Sequence, residues 1–195
     1  MEVIQALLAR RSVSPRLMHE PGPTADQIDT LLRTGARAAD HGRLRPWQFV
    51  VVQGDARARL GEVFAQARIQ RDPAASEADL AKERAKPLRA PLVIVVAARI
   101  RHDREAIRPV DQLLAAAAAA QNVLLAAYAL GYGAMWLTGS NGHDPQVKVA
   151  LGLQPEDEFV GFLYIGSVDA LASMPPAEVD LEGVVRLWEA PIKPM

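Results

Sequence analysis

The chain has 195 residues, a net charge of −1 and no cysteine. This length favours a single domain over residues 1–195, and a half-hydrophobic composition with 23% charged residues is typical of a globular enzyme. The near-neutral charge argues against a protein that coats nucleic acid or an anionic membrane. The lack of cysteine excludes disulfides, thiolate metal sites and a cysteine nucleophile. Because the N-terminus also lacks the pattern of an export signal, we expect a cytoplasmic protein.

The first half of the chain predicts helices around one strand. Apolar residues at helical spacing in 3–8 predict a short first helix. Thr24 and Gln27 form a capping-box pattern, which begins a second helix that we expect to end near Ala38. Residues 49–52 predict a strand, and Gly54-Asp55 begins a third helix.

Residues 69–90 are polar, charged and interrupted by proline, which predicts a mobile surface excursion with a helix inside it. The continuously apolar run 92–98 predicts a central strand buried on both faces. A long helix is expected over 109–130, followed by strands at 134–137 and 159–165. Residues 113–137 are apolar enough to resemble a membrane span, but polar side chains near their middle favour a helix buried within the fold.

The order of these elements favours an α+β or α/β sandwich with a mixed sheet between helices. The segment 168–195 has no predicted partner within the chain.

Several kinds of active site are poorly supported by the motifs. The four histidines lie at positions 19, 41, 102 and 143 and do not form a zinc-ligand pattern. The chain contains neither a Gly-x-Ser-x-Gly elbow nor a Walker phosphate loop. Gly131-Tyr132-Gly133 follows a helix and precedes a strand, which is the reverse of a dinucleotide-binding turn.

Two polar corners follow predicted helices. Arg10-Arg11-Ser12 offers two guanidinium groups and a hydroxyl that could bind a phosphate, although a cationic helix end also interacts favourably with its own dipole. Arg37 and His41 bracket the second corner, where solvated loop residues are the alternative.

Four motifs in order resemble the flavin-dependent nitroreductase family, and above all its short NAD(P)H nitroreductases. They are Arg10-Arg11-Ser12, the stretch 36–49 with Arg45-Pro46-Trp47, the stretch 131–136 and the stretch 161–166. The resemblance extends from Met1 to about Gly166. It implies a three-layer α/β/α sandwich with a mixed, mainly antiparallel sheet, in an intertwined homodimer whose tail, 168–195, wraps the partner.

The resemblance also implies noncovalent FMN and NAD(P)H as co-substrate. Arg10, Arg11 and Ser12 would hold the FMN phosphate, ribityl chain and ring edge, and Arg37 and His41 would reach the same flavin from the partner subunit. The isoalloxazine ring would be lined by Trp136, Leu137 and Thr138. The nicotinamide donor would lie near Ala126, Ala127, Tyr128, Ala129, Leu130 and Gly131.

The implied activity is hydride transfer from NAD(P)H to an electron-poor acceptor, a nitroaromatic or a quinone, by a ping-pong mechanism. Because the flavin carries the electron chemistry, no side chain is expected to act as an essential acid or base. The alternatives are another flavin chemistry, such as dehydrogenation or flavin destruction, and a flavin-binding protein without activity. Arg45 stands where the family usually has glutamine, and Leu137 where similar members carry arginine. These two departures bear on substrate range and donor preference.

Overall fold

The computed structural model describes residues 2–169 and 179–188. These residues form six α-helices: α1 (Val3–Ala9), α2 (Ala25–Gly35), α3 (Asp55–Arg71), α4 (Glu77–Ala85), α5 (Pro109–Ala129) and α6 (Pro145–Ala150). They also form four strands: β1 (Trp47–Gln53), β2 (Leu92–Ala98), β3 (Gly133–Leu137) and β4 (Glu158–Gly166). Short 3₁₀ turns occupy Pro15–Leu17, His41–Arg43, Lys86–Arg89 and Ser140–His143.

The four strands form one sheet in the order β1-β2-β4-β3. All three pairings among the described strands are antiparallel, so the parallel component of the expected mixed sheet is not found there. Every residue of β2 is buried, as its unbroken apolar run predicts for a central strand. Since β3 lies at one edge of the sheet, its outer side remains open to other parts of the chain or to a ligand.

Helices cover both faces of the sheet and confirm the three-layer arrangement. On one face, α2 and α5 pack against Ile94 and Leu163. On the other, α3 and α6 enclose Phe64, Val95 and Phe162. The hydrophobic core therefore consists of two apolar layers separated by the sheet.

Local sequence signals place several helix ends as expected. The Thr24 hydroxyl accepts a hydrogen bond from the Gln27 backbone N–H at 3.3 Å, and the Gln27 side chain accepts one from the Thr24 N–H at 2.8 Å. This reciprocal pair is the predicted capping box. The Asp144 side chain caps α6 by accepting hydrogen bonds from the Gln146 and Val147 N–H groups, with Pro145 as the first residue of the helix.

Helix α5 is long and apolar enough to cross a bilayer by length and composition, and half of its most apolar 18-residue window is buried. Its alanines at 116, 119 and 120 are fully buried against the sheet and α2. Alanine permits this close approach because its side chain ends at Cβ. The helix is thus a core element of the sandwich.

Residues 69–90 hold more structure than a surface excursion. Helix α3 continues to Arg71, and α4 then folds back along α3 with Leu80 buried between them. The predicted tail is only partly described: 170–178 and 189–195 lie outside the described residues, and 179–188 are exposed. Its contact with a partner subunit remains a prediction.

Candidate functional site

The first predicted motif lies beside the open edge of the sheet. Residues 10–14 follow α1 in an extended conformation, and the Val13 N–H donates to the Ala134 carbonyl of β3 at 3.0 Å. This bond fixes Arg10, Arg11 and Ser12 near the beginning of β3. Because backbone groups along a strand alternate in direction, Trp136 turns its own N–H and C=O toward the same edge.

A cavity of about 320 Å³ lies at the other end of β3. Leu137 and Thr138 form part of its wall, and the turn Gly139–Asn141 continues it. Gly139 has φ +96°, a conformation that side chains with a Cβ rarely adopt, and it allows the chain to turn sharply out of β3. At about 3.3 Å per residue, Ala134 and Thr138 are about 13 Å apart along the strand.

The opposite wall of this cavity is cationic and aromatic. Lys86 and Arg89 line it from the 3₁₀ turn after α4, together with Phe64 and Tyr164. Burial raises the pKa of Tyr164 to about 12, which outweighs the opposing effect of Arg89. Tyr164 therefore remains neutral at pH 7, and its hydroxyl can donate a hydrogen bond.

Trp136 is placed differently from its two neighbours. Side chains alternate across a strand, so Leu137 faces the α3 layer while Trp136 faces the α5 layer. The indole ring lies on Gly161, where a Cβ would come within 2.0 Å of Nε1, and Nε1 donates to the Val160 carbonyl at 3.0 Å. The Trp136 side chain does not line the cavity; only its outward backbone groups lie at the edge.

The second polar corner, which Arg37 and His41 bracket, lies at a separate cavity. His41 lines a space of about 500 Å³ with Asp40 and with Asp111, Leu114 and Ala118 on the outer side of α5. Arg37 is exposed nearby in the chain, just after α2. Within one protomer, then, His41 and Leu137 line different cavities.

The segment predicted to lie near the nicotinamide is the last turn of α5 and the residues after it. Ala127 and Tyr128 are buried in the core, whereas Ala129, Leu130 and Gly131 are exposed. The Tyr132 N–H donates to the Ala127 carbonyl at 2.9 Å, which closes the end of the helix. Packing accounts for the buried residues, and a ligand contact at Ala126–Gly131 remains a prediction.

Sequence reasoning missed Lys86, Arg89 and Tyr164 as cavity residues. The two cations stand in the segment interpreted as a surface excursion, and Tyr164 stands in a strand that was assigned to the core. The sequence indicates only part of this arrangement, because Pro87 and Pro91 mark a constrained turn in front of β2. Nothing local indicates that this turn meets the end of β3.

The Arg10–Ser12 segment thus lies beside the beginning of β3, and a cavity with cationic and apolar lining residues lies at its end. Two such sites suit a ligand with an anionic group at one end and a flat, polarisable group at the other.

Comparisons with known proteins identify the family of the chain. A model of the nitroreductase family matches residues 7–167. The Escherichia coli (strain K12) protein named "Putative NAD(P)H nitroreductase YdjA" is 37% identical over 175 residues, which is 89% of this chain and 92% of that protein.

Two solved structures share the fold. A nitroreductase-like family protein from Bacillus cereus superposes with a TM-score of 0.78 at 23% identity, over 97% of each chain. A Desulfovibrio desulfuricans structure, described as "a putative nitroreductase in complex with fmn", has a TM-score of 0.70 at 25% identity over 98% of this chain and 99% of that one. The chain belongs to the nitroreductase family.

Proposed function

We propose that this protein binds FMN without a covalent bond and transfers hydride from NAD(P)H to an electron-poor acceptor, a nitroaromatic or a quinone. When bound, FMN supplies the hydride chemistry itself. The observation that carries the proposal is the position of the Arg10–Ser12 motif and of the cavity at Leu137 near opposite ends of one edge strand, β3.

The residues near the two ends of β3 suit FMN. Arg10, Arg11 and Ser12 lie where the Val13–Ala134 bond holds them, and guanidinium groups bind phosphate through charge-assisted hydrogen bonds. The cavity at Leu137 and Thr138, at about 320 Å³, falls within the range of small-molecule sites.

Each wall of the cavity has a distinct role. Leu137 and Phe64 provide apolar surface for the ring and exclude water from one side of it. Lys86 and Arg89 favour negative charge in the cavity, and Tyr164 offers a neutral hydroxyl as donor. None of these groups needs to act as an acid or base, so orientation and electrostatics account for the rate.

The proposal includes a homodimer. Four apolar side chains on α1 are exposed (Val3, Ile4, Leu7 and Leu8). Helix α1 contacts α5, on which Leu114 is also exposed. A second protomer that covers this surface would also close the His41 cavity and bring Arg37 and His41 to its flavin. Sedimentation at micromolar concentration should give a dimer; a stable FMN-loaded monomer would contradict the arrangement. The lack of cysteine and the use of NAD(P)H suit the cytoplasm, where we place the enzyme.

The visible spectrum of the purified protein tests the cofactor directly. We expect a yellow protein, and we expect Arg10→Ala to weaken FMN binding by about 2 kcal/mol because a charge-assisted phosphate contact is lost. Arg16→Ala is the matched control, since Arg16 is an exposed cation just beyond the motif. A colourless protein that also fails to bind added FMN would exclude the proposal, and equal effects of the two variants would exclude the phosphate site.

Turnover tests the reaction. NAD(P)H oxidation should require a nitroaromatic or quinone acceptor, and initial rates should show the parallel double-reciprocal lines of a ping-pong mechanism. FMN binding without such turnover would instead favour a different flavin chemistry or a protein that only binds flavin.

A further inference from the structure

A chain of polar contacts leads from the far side of the cavity to Lys86. Both carboxylate oxygens of Glu83 accept hydrogen bonds from the Lys86 ammonium, at 2.5 and 2.6 Å. The Glu83 side chain is only 12% exposed and that of Lys86 31%. Each ion therefore has the other as a close partner in a partly buried place, where charges interact more strongly than in water.

Asn141 connects this pair to the turn after β3. Its amide nitrogen donates to Glu83 Oε2 at 2.8 Å, and its amide oxygen accepts from the Arg71 guanidinium at 2.7 Å. Asn141 is itself 3% exposed and lines the cavity. One side chain thus holds the cavity turn and the Glu83–Lys86 pair in a fixed relation.

The network is anchored at its other end by Asp144. One carboxylate oxygen of Asp144 caps α6 at the Gln146 N–H, and the other accepts from Arg71. Arg71 is the last residue of α3, so α3, α4 and α6 all meet in this network. Burial raises the pKa of Glu83, but hydrogen bonds from Lys86 and Asn141 outweigh burial and leave that pKa below its ordinary value. Glu83 is consequently ionised at neutral pH.

We propose that Glu83 and Asn141 are positioning residues that hold the Lys86 ammonium at the cavity wall and offset its charge there. The inference rests on the proposed function, because it concerns the reduction of the bound flavin. Reduction by hydride adds two electrons and one proton, so the reduced flavin carries more negative charge than the oxidised form. A lysine offset by Glu83 stabilises that extra charge less than an isolated lysine does. Glu83 therefore keeps the bound flavin a stronger reductant.

The decisive variant is Glu83→Gln, which keeps the shape of the side chain and one acceptor oxygen but removes the charge. We expect the preference of the protein for reduced over oxidised FMN to rise at least tenfold, which for a two-electron couple is a midpoint shift of about +30 mV. Dye equilibration measures this shift without any turnover. Glu77→Gln is the matched control: Glu77 is on the same helix, is 77% exposed and pairs with Arg84. That variant should leave the potential unchanged.

The double variant Glu83→Gln/Lys86→Met completes a double-mutant cycle. Since it removes both charges, its preference for reduced over oxidised FMN should return to within threefold of that of the wild-type protein. Lys86→Met alone should lower this preference at least tenfold. A merely structural network would not give these opposite shifts. If Glu83→Gln fails to fold, as judged by melting of the apoprotein, Lys86→Met alone still decides, and an unchanged potential overturns the proposal.

The outcome also separates this inference from the proposed function. A wild-type protein that binds FMN while Glu83→Gln and Glu77→Gln behave alike would refute only the role of Glu83. A wild-type protein that binds no FMN would refute the proposed function and this inference with it.

Discussion

The packing of α4 against α3 should be sensitive to one glycine. Gly61 faces the backbone of Arg84, and a Cβ at this position would lie 2.4 Å from the Arg84 carbonyl oxygen and 3.1 Å from its Cα. An ordinary contact needs about 3.4 Å, so Gly61→Ala would push α4 away by about 1 Å. Overpacking of this kind costs about 1–3 kcal/mol, and the better helix propensity of alanine returns about 1 kcal/mol. We expect a net loss of about 1 kcal/mol in the free energy of unfolding.

Urea denaturation of the apoprotein measures this loss. Ala58→Gly, on the exposed side of the same helix, calibrates the propensity effect and should cost about 1 kcal/mol. Because α4 carries Glu83 and leads into Lys86, Gly61→Ala should also weaken FMN binding, while Ala58→Gly should not. If Gly61→Ala stabilises the protein by as much as Ala58→Gly destabilises it, the close approach of the two helices is wrong.

Two further substitutions test the placement of other predicted site residues. Trp136→Phe removes the hydrogen bond to the Val160 carbonyl and should lower the free energy of unfolding by about 1 kcal/mol. It should have little effect on acceptor preference. A large change in acceptor preference without a loss of stability would indicate that the indole lies in the cavity. His41→Ala should weaken FMN binding while turnover per bound FMN falls less than about tenfold, or about 1.4 kcal/mol; abolished flavin reduction at full FMN occupancy, measured by rapid mixing, would make His41 catalytic.

The sheet and most helices could be predicted because their signals are local. The run 92–98 is apolar throughout, and the structure buries every residue of it in β2. Thr24 with Gln27 and Asp144 with Pro145 begin helices where their capping patterns indicate. In each case, a few consecutive residues contain both the signal and the structure that it specifies.

The cavity could be predicted only in part, since its two walls come from distant parts of the chain. Leu137 and Thr138 follow from a motif, but Lys86 and Arg89 stand some 50 residues earlier in a segment whose composition indicates only exposure. What places them is the return of α4 along α3, which depends on Gly61 and on the burial of Leu80. The side chains of Trp136 and Leu137 point to opposite faces of the sheet, as adjacent side chains of a strand do, and the prediction that both residues line the isoalloxazine ring stays a prediction.

The position of β3 at the edge of the sheet suits the proposed ligand site. An edge strand presents backbone groups that need partners, and this chain covers the beginning of β3 with its own segment, through Val13 and Ala134. Further along, the outward groups of Trp136 lie between that segment and the cavity. A flat ligand with hydrogen-bonding groups on its rim could pair with this edge, and cations near both ends of β3 would attract its charged parts. On the proposed function, the Arg10–Ser12 motif and the turn after β3 would act on one ligand, although more than 120 residues separate them in the sequence.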